Sequence, residues 1–243
     1  MQLVEPIFIA TIEVQMSNFV ITPPIQSSLP VVGTDDVFPV RRVYCIGRNY
    51  AAHAVEMGHD PDKEDPFFFQ KNPDNLSVSS EFPYPPKSND VHHEAEVLVA
   101  LKSGGTNIAL DDALSHVYGY ALCLDMTRRD RQGEMKKAGR PWEIGKAFEK
   151  SAPCGPIHPA SSVGHLSEGP ISLKVNGEVR QEGDLNQMIW KVPEMINYLS
   201  EYYELAAGDV ILSGTPSGVG PVQRGDELEL TLEPLGSLKV VVV

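Results

Sequence analysis

The sequence predicts an α+β fold that is rich in β-strands, with a few covering helices. Short apolar runs with strand character outnumber the helical stretches and do not alternate regularly with them, so a doubly wound parallel sheet is disfavoured. The 243 residues include 20 Gly and 20 Pro, an excess that favours short strands joined by turns. A mixed or largely antiparallel sandwich or barrel fits these observations best.

The strands can be placed in order along the chain. Residues 1–40 are interpreted as an extended N-terminal arm because prolines are frequent there, and the main domain is predicted to span residues 41–243. Strands are expected within it at residues 43–46, 66–71, 92–101, 117–124, 171–175, 178–180, 208–213, 227–232 and 238–243. Asn176-Gly177 supplies two residues that tolerate positive φ, which predicts a tight hairpin between the two strands that flank it.

Helices are expected at four places, residues 49–57, 111–116, 128–138 and 193–205. Gly139 is a typical helix terminator at the end of the third. The fourth helix has Pro193 in its first turn and is amphipathic, since Ile196, Leu199 and Tyr203 lie on one face.

Composition limits the partners of the protein. The formal net charge of −13 argues against nucleic acid, which requires a basic surface, and gives no attraction to anionic lipid. No run of apolar residues is long enough to predict a membrane span. Cys45, Cys123 and Cys154 lack metal-binding spacing and are expected to be reduced, buried thiols of a cytoplasmic protein. The glycine-rich segment 214–220 lacks the lysine of a phosphate loop, so nucleotide binding is excluded.

The most informative segment is the predicted strand that carries Glu94 and Glu96. Alternate side chains of a strand share a face, so these two carboxylates point the same way while Ala95, Val97 and Val99 fill the opposite face. Like charges on an apolar strand repel one another and resist burial. A divalent cation would remove that problem, and so would a solvated edge strand. The pattern alone favours neither.

A third carboxylate, Asp125, closes the apolar run that ends at Leu124. It could cap the helix that follows, which is a common role for Asp. Together with Glu94 and Glu96 it could instead form an oxygen ligand set without a thiolate. Such a set suits a hard cation, Mg²⁺ or Mn²⁺, with Ca²⁺ as the alternative.

Several other polar residues have both a structural and a functional interpretation. Arg129 and Gln132 are three residues apart on a predicted helix and, beside a metal, could hold a substrate carboxylate or an oxyanion. His53 and Glu56 have the same spacing, which suits either a surface ion pair or a general base oriented by a carboxylate. Lys146 stands in an apolar segment, where a lysine usually extends its ammonium to the surface.

Two interpretations from other functional classes stay open. His92 and Glu94 with His158 or His165 could form the two-His, one-carboxylate set of a non-haem iron oxygenase, and Glu96 would then be dispensable. A non-catalytic β-rich module with a structural Ca²⁺ would also use the carboxylates. It leaves the nearby histidine and cationic residues unexplained.

Five motifs occur in an order that resembles one known family. They are Gly47-Arg-Asn-Tyr-Ala-Ala-His53, His92-His-Glu-Ala-Glu96, Leu124-Asp-Met-Thr-Arg-Arg-Asp-Arg-Gln132, Gly145-Lys-Ala-Phe148 and Gly208-Asp-Val-Ile-Leu-Ser-Gly-Thr-Pro-Ser-Gly-Val-Gly220. The chain resembles the fumarylacetoacetate hydrolase superfamily over residues 41–243. Within it, the chain is most similar to the bacterial fumarylpyruvate hydrolases, and then to acylpyruvate hydrolases that also act on oxaloacetate.

The resemblance implies a mixed β-sandwich roll of the superfamily's C-terminal-domain type, usually a homodimer. It implies hydrolysis of a carbon–carbon bond in a small 2,4-diketo acid with Mg²⁺ or Mn²⁺, most similar to cleavage of fumarylpyruvate to fumarate and pyruvate in a gentisate-type route of aromatic catabolism. The alternatives are an acylpyruvate hydrolase, an oxaloacetate decarboxylase, and an isomerase or decarboxylase of a related dienoate. Only the products would separate them.

The resemblance also implies roles for individual residues. The metal ligands would be Glu94, Glu96 and Asp125, and the pair on a lid helix that activates water would be His53 and Glu56. The residues expected around the substrate are Arg129, Gln132, Lys146, Lys71, Thr215 and Arg48. Lys71 follows the Phe67-Phe68-Phe69 run and is expected to meet a second carboxylate at the far end of the substrate.

Overall fold

A computed structural model describes residues 19–56 and 65–243, with the side chains of residues 53, 54 and 56 left aside. The strands in these ranges are β1 (Ser28–Pro30), β2 (Val37–Pro39), β3 (Arg42–Gly47), β4 (Phe67–Lys71), β5 (Leu76–Ser77), β6 (Glu81–Phe82), β7 (Val91–His93), β8 (Ala95–Leu101), β9 (Val117–Leu124), β10 (Thr127–Arg128), β11 (Ala152–Pro153), β12 (His158–Pro159), β13 (Pro170–Val175), β14 (Glu178–Asp184), β15 (Asp209–Leu212), β16 (Gly220–Pro221), β17 (Glu227–Leu232) and β18 (Gly236–Val242). The helices are α1 (Ala51–Glu56), α2 (Leu110–Ala113), α3 (Arg129–Ala138), α4 (Glu143–Lys146), α5 (Ala160–Val163) and α6 (Val192–Tyr202).

Two sheets build the body of the molecule. A six-stranded sheet has the order β12-β9-β8-β15-β3-β4, and a five-stranded sheet has the order β14-β13-β17-β18-β6. Most neighbours are antiparallel, while β15 with β3 and β18 with β6 are parallel. The predicted class, a strand-rich mixed sandwich with few helices, is confirmed.

The six-stranded sheet is buried on both faces. One face packs against the five-stranded sheet and α6 in the larger apolar core. The opposite face carries Val43, Leu98 and Leu212, which pack with Leu29 and Phe38 of the N-terminal strands in a second core. As a result, every residue of β8 is buried, and any charge that this strand carries must find a partner inside the protein.

Several predicted elements form as their local chemistry requires. Asn176 and Gly177 have φ values of 53° and 82° and turn β13 into β14. Helix α3 ends at Gly139, whose φ of 62° lies in the left-handed region that glycine adopts without strain. The amphipathic helix predicted from Pro193 onward is α6.

The N-terminal arm contributes to the fold wherever it is described. Strands β1 and β2 pair with each other, and Val31 bridges to Ile157. The remaining part of the arm, residues 1–18, lies outside the described residues, so the domain boundary near residue 41 stays a prediction.

All three cysteines are buried free thiols, as predicted. Of the helices described, none has both the length and the apolar character needed to cross a bilayer.

Candidate active site

Three carboxylates meet where β8 begins and β9 ends. Because β8 and β9 are antiparallel, with Ala95 opposite Leu124, the residue before β8 and the residue after β9 lie side by side. The backbone N–H of Asp125 donates to the carbonyl oxygen of Glu94 across 2.8 Å, which holds the two ends together. Glu96 follows one residue into β8 and shares the face of Glu94. Ligand oxygens of the three side chains lie within 4.8 Å of one another.

These carboxylates fit a divalent cation. They are nearly inaccessible to solvent, at 5%, 2% and 0% exposure for Glu94, Glu96 and Asp125. Burial, and then the charges of Asp125 and Glu94, raise the pKa of Glu96 well above its usual range. Glu96 accepts a hydrogen bond from the backbone N–H of Gly214 at 2.8 Å, but no lysine or arginine among the described residues pairs with it. A hard cation bound by oxygen donors would supply the missing positive charge.

Two buried lysines neutralise the other carboxylates. The ammonium of Lys146 donates to Glu94 Oε2 and to Asp125 Oδ2, both at 2.8 Å. Burial lowers the pKa of Lys146, but the charges of Asp125 and Glu94 outweigh this effect and the net shift is upward. The ammonium of Lys71 lies 2.8 Å from Asp125 Oδ1. We call these five residues, Glu94, Glu96, Asp125, Lys71 and Lys146, the floor of the site.

The structure corrects the position expected for Lys71. Its side chain is fully buried and does not line the cavity above the carboxylates. Besides the contact with Asp125, its ammonium donates to Ser151 Oγ at 2.9 Å and to the carbonyl oxygens of Met126 and Lys146. These partners use its donors within the protein, so Lys71 is not placed to meet the far end of a substrate.

Arg129 and Gln132 stand together at the wall of the cavity, as their spacing on α3 predicts. Arg129 donates to Glu94 Oε1 at 2.5 Å and to Gln132 Oε1 at 2.7 Å. Because arginine can only donate, the contact identifies the oxygen of the Gln132 amide and leaves the NH₂ group to donate elsewhere. Arg129 Nε is buried and has no partner among the described residues. An anionic ligand would offset the cost of that unsatisfied donor.

One cavity joins eight of the predicted site residues. It is lined by the three carboxylates together with Arg129, Gln132, Lys146, Thr215 and Arg48. Gly47 and Arg48 bring the start of α1 to its edge, and Arg48 adopts a φ of 58°, which is uncommon for a residue other than glycine. Thr215, which is 3% exposed, follows β15 and Gly214, whose φ of 89° lies in the left-handed region.

The cavity also contains residues that the sequence did not single out, above all Lys136 and Trp142. The ammonium of Lys136 lies 5.3 Å from the centroid of the Trp142 ring. Burial, and then the charges of Arg48 and Arg129, lower the pKa of Lys136. A signal did exist in the sequence, because positions 129, 132 and 136 share one face of a helix. We call Arg48, Lys136 and Trp142 the mouth of the site.

The proposed water-activating pair lies partly outside the described residues. His53 and Glu56 belong to α1, but their side chains are not among those described. The alternative iron site does not form within the ranges that the structure describes. In those ranges, one group of His, Cys, Asp or Glu side chains lies close enough together to hold a metal ion, and it consists of Glu94, Glu96 and Asp125. His92 instead contacts Asp90 at 2.9 Å.

Comparison with known proteins identifies the family. The model of the fumarylacetoacetate hydrolase C-terminal domain matches residues 42–243. The chain therefore belongs to the fumarylacetoacetate hydrolase family, which confirms the resemblance inferred from the five motifs. It is an enzyme of that family, and this excludes the interpretation as a non-catalytic module.

Individual relatives point to more than one activity. The fold is similar to that of a fumarylpyruvate hydrolase from Pseudomonas aeruginosa, solved in complex with Mn²⁺ and pyruvate, with 51% identity, a TM-score of 0.92 and coverage of 93% of this chain and 99% of that one. Oxaloacetate tautomerase YcgM of Escherichia coli is 41% identical over 197 residues, which cover 81% of this chain and 90% of the relative. A mitochondrial oxaloacetate decarboxylase of Dictyostelium discoideum is 39% identical over 191 residues, with coverage of 78% and 87%.

Proposed function

We propose that the protein is a metal-dependent hydrolase that cleaves a carbon–carbon bond in a 2,4-diketo acid, with fumarylpyruvate as the substrate and fumarate and pyruvate as the products. The observation that carries this proposal is the single cavity in which three buried carboxylates face the donors of Arg129 and Gln132. The similarity to a fumarylpyruvate hydrolase that binds Mn²⁺ and pyruvate supports it.

The floor would bind the pyruvyl end of the substrate. Glu94, Glu96 and Asp125 would hold Mg²⁺ or Mn²⁺, with Ca²⁺ as an alternative occupant. When bound, the cation would supply Lewis-acid stabilisation of the negative charge that develops during cleavage. Lys146, already hydrogen-bonded to two of the carboxylates, would place a further positive charge beside the leaving pyruvyl group.

The wall of the cavity would stabilise the attacked ketone. Hydrolysis requires water to add to the distal carbonyl, which places negative charge on its oxygen. Gln132 can donate through the NH₂ group that its contact with Arg129 leaves available, and Arg129 adds its charge and its Nε, which has no partner among the described residues. Donors held in place before the reaction stabilise such an oxyanion without reorganisation. His53, oriented by Glu56, would take the proton from the attacking water.

The mouth would recognise the second carboxylate of the substrate. Lys136 lines the cavity and has no ion pair with any described residue, and Arg48 raises the positive potential around it. A carboxylate bound there would offset both the burial and the repulsion by Arg48 and Arg129 that lower the pKa of Lys136. This assignment replaces the one made for Lys71, and it favours a dicarboxylate over a substrate with a single carboxylate.

The test is hydrolysis in water enriched in ¹⁸O. Metal-free protein reloaded with Mn²⁺ should convert fumarylpyruvate to pyruvate and to fumarate that carries one ¹⁸O in its new carboxylate. Mg²⁺ should also restore turnover, and chelator should remove it. Full turnover without metal, or products without the label, would refute the proposal.

A second candidate function is tautomerisation or decarboxylation of oxaloacetate, which the similarity to an oxaloacetate tautomerase and to an oxaloacetate decarboxylase supports. Neither reaction consumes an attacking water, so neither depends on an activated water at the distal carbonyl. The same floor would serve, because both reactions develop charge on an enolate. A higher kcat/KM on oxaloacetate than on fumarylpyruvate would favour this candidate.

We also propose that the protein forms a homodimer, and light scattering can measure its mass in solution.

A further inference from the structure

Strand β14 carries one buried side chain, Gln181, among neighbours that are exposed or half-exposed. Gln181 has no solvent exposure and belongs to the five-stranded sheet, whereas the three carboxylates of the floor lie in or directly beside β8 and β9 of the six-stranded one. Its amide makes four hydrogen bonds, all to residues that flank the site. Oε1 contacts His93 Nδ1 at 2.9 Å and the N–H of Ala95 at 3.0 Å, and Nε2 contacts Thr215 Oγ1 at 2.7 Å and the carbonyl oxygen of Pro216 at 2.9 Å.

The backbone partners fix the orientation of this amide. The N–H of Ala95 can only donate, so the atom that faces it must be the amide oxygen. The carbonyl of Pro216 can only accept, so the atom that faces it must be the NH₂ group. The alternative orientation would place two donors together on one side and two acceptors on the other, both buried, at a cost of about 1–3 kcal/mol for each unsatisfied group.

This orientation determines in which direction the hydroxyl of Thr215 forms its hydrogen bonds. Because Gln181 Nε2 donates to Thr215 Oγ1, the threonine hydroxyl acts as the acceptor in that contact. A hydroxyl has one proton to donate, and the proton of Thr215 is therefore left for a different partner. Thr215 lines the cavity beside the carboxylates, where an anionic ligand would accept it.

The loop that carries Thr215 is also held against β14 through its backbone. A Cβ atom at Gly218, whose φ is 93°, would lie 2.1 Å from the carbonyl oxygen of Arg180. A Cβ atom at Gly183 would lie 2.8 Å from the Cβ of Pro216. Only glycine permits both of these close approaches. The loop is thus fixed on both sides of Gln181, and the position of Thr215 depends on this strand.

We propose that Gln181 is a positioning residue that makes the Thr215 hydroxyl a hydrogen-bond donor toward the carboxylate of a bound 2-oxo acid. The inference rests on the proposed function only in taking a 2-oxo acid as the ligand of the floor. It assigns to Gln181 no contact with the substrate. Its effect on binding passes through Thr215, and this dependence can be measured.

The experiment is a double-mutant cycle with pyruvate as the probe, measured by calorimetry on the full chain loaded with Mn²⁺. Loss of a hydrogen bond to a charged group predicts that Thr215→Val weakens pyruvate binding about 10-fold. Gln181→Met should weaken it by a similar factor, and the double variant should be no weaker than either single variant. Mn²⁺ affinity, measured in the same samples, should stay within about twofold of the parent protein, because no hydrogen bond of Gln181 reaches a carboxylate of the floor.

Gln187→Met is the matched control. Gln187 lies three residues beyond the end of β14, and its amide oxygen accepts from the N–H of Asp184 at 3.0 Å, with no hydrogen bond to Thr215. This variant should bind pyruvate as the parent protein does. If Gln181→Met does not fold, Gln181→Glu measured at pH 9 replaces it. Its ionised carboxylate can only accept and would draw the Thr215 proton inward, so Thr215→Val should again have no further effect in that background.

The outcomes separate this inference from the proposed function. A 10-fold effect of Thr215→Val that persists in the Gln181→Met or Gln181→Glu background would overturn the positioning role, and so would unchanged pyruvate binding in both Gln181 variants. A protein that shows the non-additive cycle but hydrolyses no diketo acid would refute the proposed function alone. A merely structural role would lower the melting temperature of Gln181→Met without changing the pyruvate Kd of the folded protein.

Discussion

The floor and the mouth of the site each contain a lysine, but the two lysines are in opposite situations. Lys71 in the floor has no exposed side-chain surface and contacts Asp125, Ser151 and two carbonyl oxygens. Lys136 in the mouth is half-buried, lies over the Trp142 ring and has no carboxylate partner among the described residues. The positive charge of Lys71 is thus neutralised by a carboxylate within the protein, whereas that of Lys136 is available to a ligand in the cavity.

This difference indicates how the site divides its tasks. A group whose charge is neutralised by fixed protein partners acts in the same way on every substrate, since its environment is set before binding. A group without such a partner gains most from a ligand that brings the opposite charge. We therefore expect changes in the floor to affect all substrates alike, and changes in the mouth to affect dicarboxylates selectively.

The largest effect is expected for Glu96→Gln in the floor. Loss of one ligand should remove Mn²⁺ binding and, with it, several kcal/mol of transition-state stabilisation, or about 10³-fold or more in kcat on every substrate. In the parent protein, Mn²⁺ at 100 times its Kd should add about 2.7 kcal/mol to stability, visible as a rise in melting temperature that the variant lacks.

Asp209→Asn is the control for Glu96→Gln, because Asp209 is equally buried but pairs with Arg41 at 3.0 Å, away from the cavity. It should lower stability and still respond to Mn²⁺. A normal Mn²⁺ response in Glu96→Gln would remove Glu96 from the ligand set.

The second-largest decrease in activity is expected for His53→Ala. Loss of a general base predicts a decrease of about 10²–10⁴-fold in hydrolysis, with Mn²⁺ binding unchanged. Turnover of oxaloacetate should decrease less, because it needs no attacking water. The measurement is the ratio of the two rates in one preparation. Equal losses on both substrates would indicate that His53 does not act through the water.

Lys71→Met should act through the floor and show no substrate preference. Removing one partner of a buried ion pair costs about 3–5 kcal/mol in stability, because Asp125 loses its contact on one side. Denaturant unfolding with and without Mn²⁺ measures this loss. A selective loss of activity on dicarboxylates, with normal stability, would return Lys71 to the substrate-binding role.

The smallest and most selective effect is expected for Lys136→Met in the mouth. In the variant, kcat/KM on fumarylpyruvate should fall by a factor that corresponds to about 1.5–3 kcal/mol of transition-state stabilisation, the value of a charge-assisted hydrogen bond. The value on acetylpyruvate, which lacks the second carboxylate, should change little. Lys137→Met, one residue further along α3 and exposed, is the control and should change neither. Equal losses on both substrates in Lys136→Met would contradict the proposed division.

The sequence marked the floor carboxylates as unusual, although only the resemblance carried by the five motifs, and not the pattern alone, pointed to a metal site rather than a solvated edge strand. Two carboxylates within an apolar strand, and a third at the end of another, are expensive to bury without a common partner. The predicted spacing of Arg129 and Gln132 on a helix also corresponds to the contact observed between them. In these cases a local period was enough to place side chains on one face.

The positions of the remaining site residues depend on tertiary contacts, which the spacing of residues along one helix or strand does not reveal. The position of Lys71 at the end of a strand does not reveal whether its ammonium turns toward the cavity or toward Asp125. Gln181 occurs in a strand of charged residues, where a glutamine is unremarkable, and only the approach of the second sheet makes it a buried contact. The helical period places Lys136 on the same face as Arg129 and Gln132, but the sequence did not distinguish it from the exposed Lys137 beside it.

The most direct test of the account compares kcat/KM for fumarylpyruvate, acetylpyruvate and oxaloacetate on the parent protein loaded with Mn²⁺, with products identified by NMR. The account predicts cleavage of fumarylpyruvate to fumarate and pyruvate, at about 10-fold or more the efficiency on acetylpyruvate, because the mouth contributes a charge-assisted contact. Equal efficiency on the two diketo acids would contradict selection by the mouth. Turnover of oxaloacetate without hydrolysis of either diketo acid would contradict the assignment as a hydrolase.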